Sequence, residues 1–213
     1  MVRTYHHILW DWNGTLFDDT WLCVSVMNTL LVRRNLPLLT VDTYRTVFTF
    51  PVHTYYQAIG LDLTADSFED LSVEFMEQYE ARRQECSLCL YVREVLSYVK
   101  QAGVGQSILS AYPYDGLVNV VQHFELEHFF ERLLGLEDIY ARSKLDLARN
   151  WMQARGYAPS EVLLIGDTTH DFEVANAIGA DCLLVTNGHN AKERLEQCHV
   201  RVLNSLLELV EED

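Results

Sequence analysis

Positive charge is scarce in this sequence. Its 213 residues include 16 lysines and arginines against 31 aspartates and glutamates, for a formal net charge of −15. The lysines are Lys100, Lys144 and Lys192. Such a surface repels nucleic acid and anionic membranes, so neither is an expected partner. It also repels anionic substrates, so a phosphate site needs a local positive source: a metal ion, a lysine or a helix N-terminus. Long apolar runs are missing, and none approaches the ~18–20 residues of a membrane span. The first residues lack the extended apolar segment and small-residue cleavage site of a signal peptide, so a cytoplasmic location is expected. Cysteines are few and odd in number: Cys23, Cys86, Cys89, Cys182 and Cys198. Without an extracellular signal, that argues against a disulfide framework. Cys86-Ser-Leu-Cys89 is a lone CxxC with no second CxxC or His pair, and reads as two reduced thiols in or near a helix. Repeats, low-complexity tracts and linkers are absent. The rest is ordinary globular composition, 49% hydrophobic and 22% charged, enough for a real core in one domain or one domain with an insertion.

Four short apolar runs read as strands: Tyr5–Trp12, Gly105–Ala111, Val162–Gly166 and Cys182–Val185, with a weaker one near Asp138–Ala141. They are rich in Ile, Leu and Val and partly continuous, the pattern of strands buried on both faces of a parallel sheet. Helical patterns at Leu117–Phe124, Lys144–Arg155 and Phe172–Ile178 separate the later runs, the last stopping at Gly179. Strands alternating with helices imply an α/β fold, a doubly wound parallel sheet.

The stretch between the first and second strands breaks that rhythm and reads as almost entirely helical. Leu22, Val26 and Leu30 fit one amphipathic helix that ends near Pro37. Val41–Phe48 fits a second, with Thr40 as N-cap, and Val52–Ile59 a third, stopped by Gly60. A fourth begins near Asp66, where Asp66-x-x-Glu69 resembles a capping box. The expected organisation is a core of residues 1–17 and 89–213 with a helical cap subdomain inserted at 18–88.

In parallel α/β sheets, ligands gather beyond the carboxyl ends of strands. The first strand ends in Asp11-Trp12-Asn13-Gly14-Thr15-Leu16, and Val162–Gly166 runs into Asp167-Thr168-Thr169-His170-Asp171. If these strands are neighbours, three carboxylates converge on one crevice and repel one another unless a cation joins them. Magnesium, held by one or two carboxylates and substrate phosphate oxygens, is the natural candidate.

These motifs, in this order and with a helical insertion after the first strand, resemble the haloacid dehalogenase (HAD) superfamily in its phosphatase branch. The chain is similar to phosphoglycolate-phosphatase-like proteins over nearly its whole length. The resemblance implies a nucleophile at Asp11 that forms an aspartyl-phosphate. It implies a hydrogen bond from Ser110 to the transferring phosphoryl group, and charge neutralisation by Lys144, which follows Arg142-Ser143. It implies magnesium ligation by Asp11, the Asn13 carbonyl, Asp167 and Asp171. The expected reaction is hydrolysis of a small phosphorylated metabolite by a monomer or homodimer.

Two positions depart from the family pattern. Asn13 stands where an aspartate usually serves as general acid, help typically worth about 10²–10⁴ in rate. Ala111 stands where many relatives have asparagine. Asn13 keeps a rival reading open, a non-catalytic or nearly inactive phosphate-binding protein. It argues against phosphosugar mutases, which need the second aspartate. A cap without lysine argues against phosphonate cleavage through a Schiff base, and the full acidic motif argues against metal-free dehalogenation. Candidate substrate contacts are Thr15, Ser110 and Ala111 in the core, and Arg45, His53, Tyr55 and Tyr56 in the cap. His170 is read as a helix-start residue and Trp12 as a core or cap-facing aromatic.

Overall fold

The computed structural model describes residues 2–137 and 144–211. The first strand, β1 (His7–Trp10), is followed by the two-residue β2 (Phe17–Asp18). Four helices come next: α1 (Thr20–Arg33), α2 (Val41–Val47), α3 (Val52–Ala58) and α4 (Phe68–Arg82). The chain returns through β3 (Ser87–Leu88) and α5 (Val92–Gln101) to β4 (Gly105–Pro113), α6 (Tyr114–His123) and β5 (Arg132–Leu136). After α7 (Lys144–Arg155) come β6 (Val162–Gly166), α8 (Thr169–Ile178) and β7 (Asp181–Val185). The chain then runs through α9 (Lys192–Glu196), β8 (Arg201–Leu203) and α10 (Glu208–Glu211).

Six strands form one parallel sheet in the order β5-β4-β1-β6-β7-β8. β1 lies between β4 and β6, with Trp10 paired to Ile108 on one side and Ile165 on the other. From β1 the sheet grows outward in both directions, which makes its carboxyl end the switch point where α/β sheets open a crevice. Every residue of β1 and β6 is buried. Side chains alternate between faces, as the two-residue period requires. Ile8 and Trp10 pack with Val95, Val99 and Leu117 from α5 and α6, whereas Leu9 packs with Ala148, Trp151 and Val174 from α7 and α8. Covered on both faces, these strands need continuous apolar sequence, which is why they were legible as runs.

The helices between β2 and β3 form as their patterns dictate. In α1, Leu22, Val26 and Leu30 are all buried. Thr40 caps α2 by accepting from the Thr43 amide, and the Thr43 hydroxyl closes the box on the Thr40 amide. The fourth helix corrects the expected cap: Ser67, not Asp66, accepts from the Asp70 amide, while Asp66 pairs with the Arg34 guanidinium at 2.7 Å. Cys86 and Cys89 are free thiols that flank β3, Cys86 directly after the 3-10 turn Arg83–Glu85, in keeping with reduced thiols near a helix. The antiparallel β2–β3 ladder, the edge strands β5 and β8, and helices α5, α9 and α10 were not foreseen. The weak strand expected near Asp138–Ala141 lies outside the described residues. No helix among the described residues is long and apolar enough to cross a membrane.

Candidate active site

Asp11 is the first residue past β1, and its amide still donates to the Ile165 carbonyl, so its position is set by the β1–β6 ladder. The chain then turns sharply. The Trp12 carbonyl accepts from the amides of Thr15, Leu16 and Phe17, and Gly14 adopts φ +74°. A side chain at Gly14 would collide with Asp167 and His189, so the turn needs glycine for close approach as well as for conformation. The turn brings the Thr15 hydroxyl to Asp167 Oδ1 at 2.9 Å. Asp167, past the end of β6, is fully buried, and its Oδ2 accepts from the His189 amide at 2.6 Å.

Thr168 caps α8 by accepting from the Asp171 amide, while Asp171 Oδ2 accepts from the Thr168 amide and hydroxyl. The other oxygen of Asp171 faces Lys144, the first residue of α7. Lys144 Nζ donates to Asp171 Oδ1 and Asp11 Oδ1, both at 2.5 Å. Burial opposes the charge of Lys144, but Asp11 and Asp171 override it and hold the ammonium above its ordinary value. Burial pushes Asp11 well up, against the pull of Lys144. Burial also raises Asp167, with Asp171 adding to it against His189. Burial would raise Asp171 too, yet Lys144 and the Thr168 hydroxyl hold it below the usual carboxylate value. Ser110, buried on β4, accepts from the Tyr112 amide at 3.0 Å and faces the same cavity as Asp11 and Lys144.

Asp11, Asp167 and Asp171 each offer an oxygen, all within 4.8 Å of one another. One ammonium group lies against these three carboxylates among the described residues, leaving two buried negative charges. An all-oxygen donor set with that imbalance fits a hard divalent cation.

Beside this cluster lies a second polar group that the sequence reading missed. Asp19, at the start of α1, accepts from the Gly14 amide at 3.0 Å and from the Tyr79 hydroxyl at 2.8 Å. His189 Nε2 is 3.3 Å from Asp19 Oδ1, and His189 Nδ1 is 2.9 Å from the Tyr44 hydroxyl. Burial would lower the His189 pKa, but Asp19 outweighs it and raises the value to about 9. The Asn13 amide belongs to this group: Nδ2 donates to Asp19 Oδ2 at 2.8 Å and to Tyr79 at 3.0 Å. Cys23, His189 and Asp19 also lie close enough for a metal, but the Asp19 oxygens already accept these hydrogen bonds, and the group is satisfied as an ion pair. The signal that would have found His189 is its place in the loop after β7, at the same end of the sheet as Asp11.

The expected substrate contacts are placed unevenly. Ser110, Ala111 and Tyr56 line the cavity over Asp11. Thr15 turns to Asp167 instead. Arg45 faces away, donating to the carbonyls of Gly188 and Asn187 at 2.7 and 2.9 Å. His53 is exposed and lines a neighbouring cavity with Phe68 and His170. His170 opens α8 and stacks on Phe50, and Trp12 is buried against Phe17.

The sequence model of the haloacid dehalogenase-like hydrolases matches residues 8–185. The chain belongs to that family. Among curated relatives, the HAD-like chain is 25% identical over 198 residues to the tyrosine-protein kinase PtkA of Mycobacterium tuberculosis, covering 92% of this chain and 67% of that protein. It is 24% identical over 212 residues to the phosphoglycolate phosphatase of Pseudomonas syringae, covering 95% and 78%. The HAD-like fold also superposes on the solved structure of Protein Tyrosine Kinase A from Mycobacterium tuberculosis. That match has a TM-score of 0.81 at 24% identity, covering 98% of this chain and 97% of that one.

Proposed function

We propose that this HAD-like chain is a magnesium-dependent phosphatase of small phosphorylated metabolites, working through an aspartyl-phosphate on Asp11. One observation carries the reading: Lys144 bridges Asp11 and Asp171 at 2.5 Å while Asp167 completes the acidic cluster. Lys144 holds Asp11 Oδ1 and leaves Oδ2 without a protein hydrogen bond among the described residues. That oxygen attacks phosphorus; the ester P–O bond breaks and the alcohol oxygen departs with the electron pair. Water then attacks phosphorus, the P–O bond to Asp11 breaks, and phosphate leaves with the carboxylate restored.

Asp11, Asp167, Asp171 and the Asn13 carbonyl would hold magnesium, which when bound offsets charge on the phosphoryl oxygens. Ser110 donates its hydroxyl to a phosphoryl oxygen. Lys144 stabilises the charge that gathers there, and the cluster is rigid enough to do so without reorganising. Thr15 and the His189 amide fix Asp167, and Thr168 fixes Asp171. The same set separates a catalyst from a phosphate binder, which has no use for a buried nucleophile braced by a lysine. Turnover of an aryl phosphate with magnesium, with EDTA and in Asp11→Asn tests it. Full activity in EDTA, or wild-type turnover in Asp11→Asn, overturns it.

A further inference from the structure

The cavity over Asp11 has a polar floor and an apolar wall. Asp11, Ser110, Lys144 and Asp171 form the floor. The wall is built from Phe48, Phe50, Tyr56, Phe68, Phe75 and Met76. A leaving group attached to a phosphate seated on the floor points into that wall.

No free cation lines it among the described residues. Lys144 and His189 are the basic side chains that line the cavity among the described residues, and each already has its carboxylate partner. The helical insertion contains no lysine, and each of its arginines is engaged elsewhere. Arg33 pairs with Glu74, and Arg34 with Asp66 and Glu74. Arg45 is held by two carbonyls, Arg82 pairs with Glu85 and Arg83 with Glu80. A carboxylate brought into this wall would lose its water with no counter-charge to replace it. An aromatic ring would find edges and faces of other rings and a methionine sulfur. The cavity is about 160 Å³ over floor and wall together, so the leaving group it admits beside the phosphate is small.

Asn13 points the same way. Its amide is tied to Asp19 and Tyr79, and it has no acidic proton to give a departing oxygen. A phenol, with an ordinary pKa near 10, departs without that help far more readily than an alkanol.

We infer that the site selects phosphate esters of uncharged aromatic alcohols and rejects esters whose leaving group carries a second negative charge, an inference that rests on the phosphatase reading above. Specificity lies in the wall of α2 to α4, with Met76 and Phe75 as its selective elements.

The test compares kcat/KM for phenyl phosphate, 4-carboxyphenyl phosphate and phosphoglycolate. The first two share a phenolic leaving oxygen, so their ratio isolates the wall from leaving-group chemistry. Phenyl phosphate is expected to lead 4-carboxyphenyl phosphate at least tenfold, mostly through KM, and to lead phosphoglycolate by more. Met76→Arg, which places a cation in the wall, should narrow the first gap at least tenfold, and Phe75→Ala should raise KM for phenyl phosphate. Equal use of the two aryl esters, or preferred use of phosphoglycolate, overturns the substrate class. If that turnover still depends on Asp11, the phosphatase reading stands. No turnover of any of the three sinks both.

Discussion

The Asn13 amide lies 2.8 Å from Asp19 Oδ2 and donates to it. The position where family members carry a general acid is therefore tied to a buried carboxylate outside the motif. In Asn13→Asp, two carboxyls would meet at that distance and share one proton, since like charges so close do not both ionise. That proton is what a poor leaving group needs. The variant should raise turnover of alkyl phosphates more than of aryl phosphates, by up to about 10²–10⁴. Equal effects on both esters would show that residue 13 does not face the leaving oxygen. Peptide mass spectrometry at Asn13-Gly14 controls for deamidation.

Asp19 and His189 form an ion pair whose side chains are 1% and 6% exposed. Removing one partner strands the other charge inside the protein. Asp19→Ala and His189→Ala should each destabilise the fold by about 3–5 kcal/mol, read as the shift in a urea unfolding curve. The double variant should lose less than the sum of the two. Additive losses would mean that the two charges are not coupled.

Acid sensitivity should trace in part to His7. It is fully buried on β1 with Nε2 2.9 Å from the Ser107 hydroxyl. Burial, aided by Arg155, lowers its pKa from 6.5 to about 4. Above pH 6.5 the imidazole is neutral in both folded and unfolded chains, and this contribution to stability is complete. Between pH 6.5 and 4 the unfolded chain takes up a proton that the folded one refuses, so stability falls with pH. The loss amounts to roughly 3 kcal/mol and levels off below pH 4. His7→Gln should flatten that part of the stability–pH profile. An unchanged slope would place the acid sensitivity elsewhere.

Lys144→Met should cut kcat by about 10²–10³, the usual effect of losing a preorganised donor to transition-state charge. It also leaves Asp11 and Asp171 facing each other without a cation between them, which makes the site more negative, so activity should saturate at lower magnesium than in the wild type. Steady-state kinetics over a magnesium titration read both effects. A variant with wild-type kcat would remove Lys144 from the mechanism.

What the sequence disclosed follows from what periodicity and strand ends encode. Val162–Gly166 and Lys144–Arg155 were readable to the residue, because a buried strand is an unbroken apolar run and a helix repeats its apolar face. β2 and β3 have two residues each, and two residues hold no period. β5 and β8 lie at the sheet edges, where burial is partial and the apolar signal fades. Asp11, Asp167 and Asp171 were legible as one group because they follow strand ends, whereas Ser110 and Lys144 were reached only through the resemblance to the family. Asp19 and His189 were legible by neither route, because 170 positions separate them and each alone is an ordinary loop or cap residue. Arg45 shows the same blindness in reverse: its helix was foreseen, but its guanidinium wraps onto the Asn187–Gly188 backbone, a partner no local pattern reveals.

Phe17 pairs with Leu88, and Asp18 with Ser87. The chain thus enters and leaves the helical insertion through a separate two-stranded ladder, its two ends one strand spacing apart, about 5 Å. Helices α1 to α4 hang from this antiparallel stem as a loop hangs from a hairpin. Such a stem is a graft point. Any segment whose ends meet at that spacing, from a two-residue turn to a larger helical array, closes onto it without disturbing the register of β1 with β4 and β6. The wall proposed to choose the ester thus enters the chain as one insertion between β2 and β3, whereas the residues proposed to cleave the ester come from β1, β4, β6 and the helices that follow the sheet.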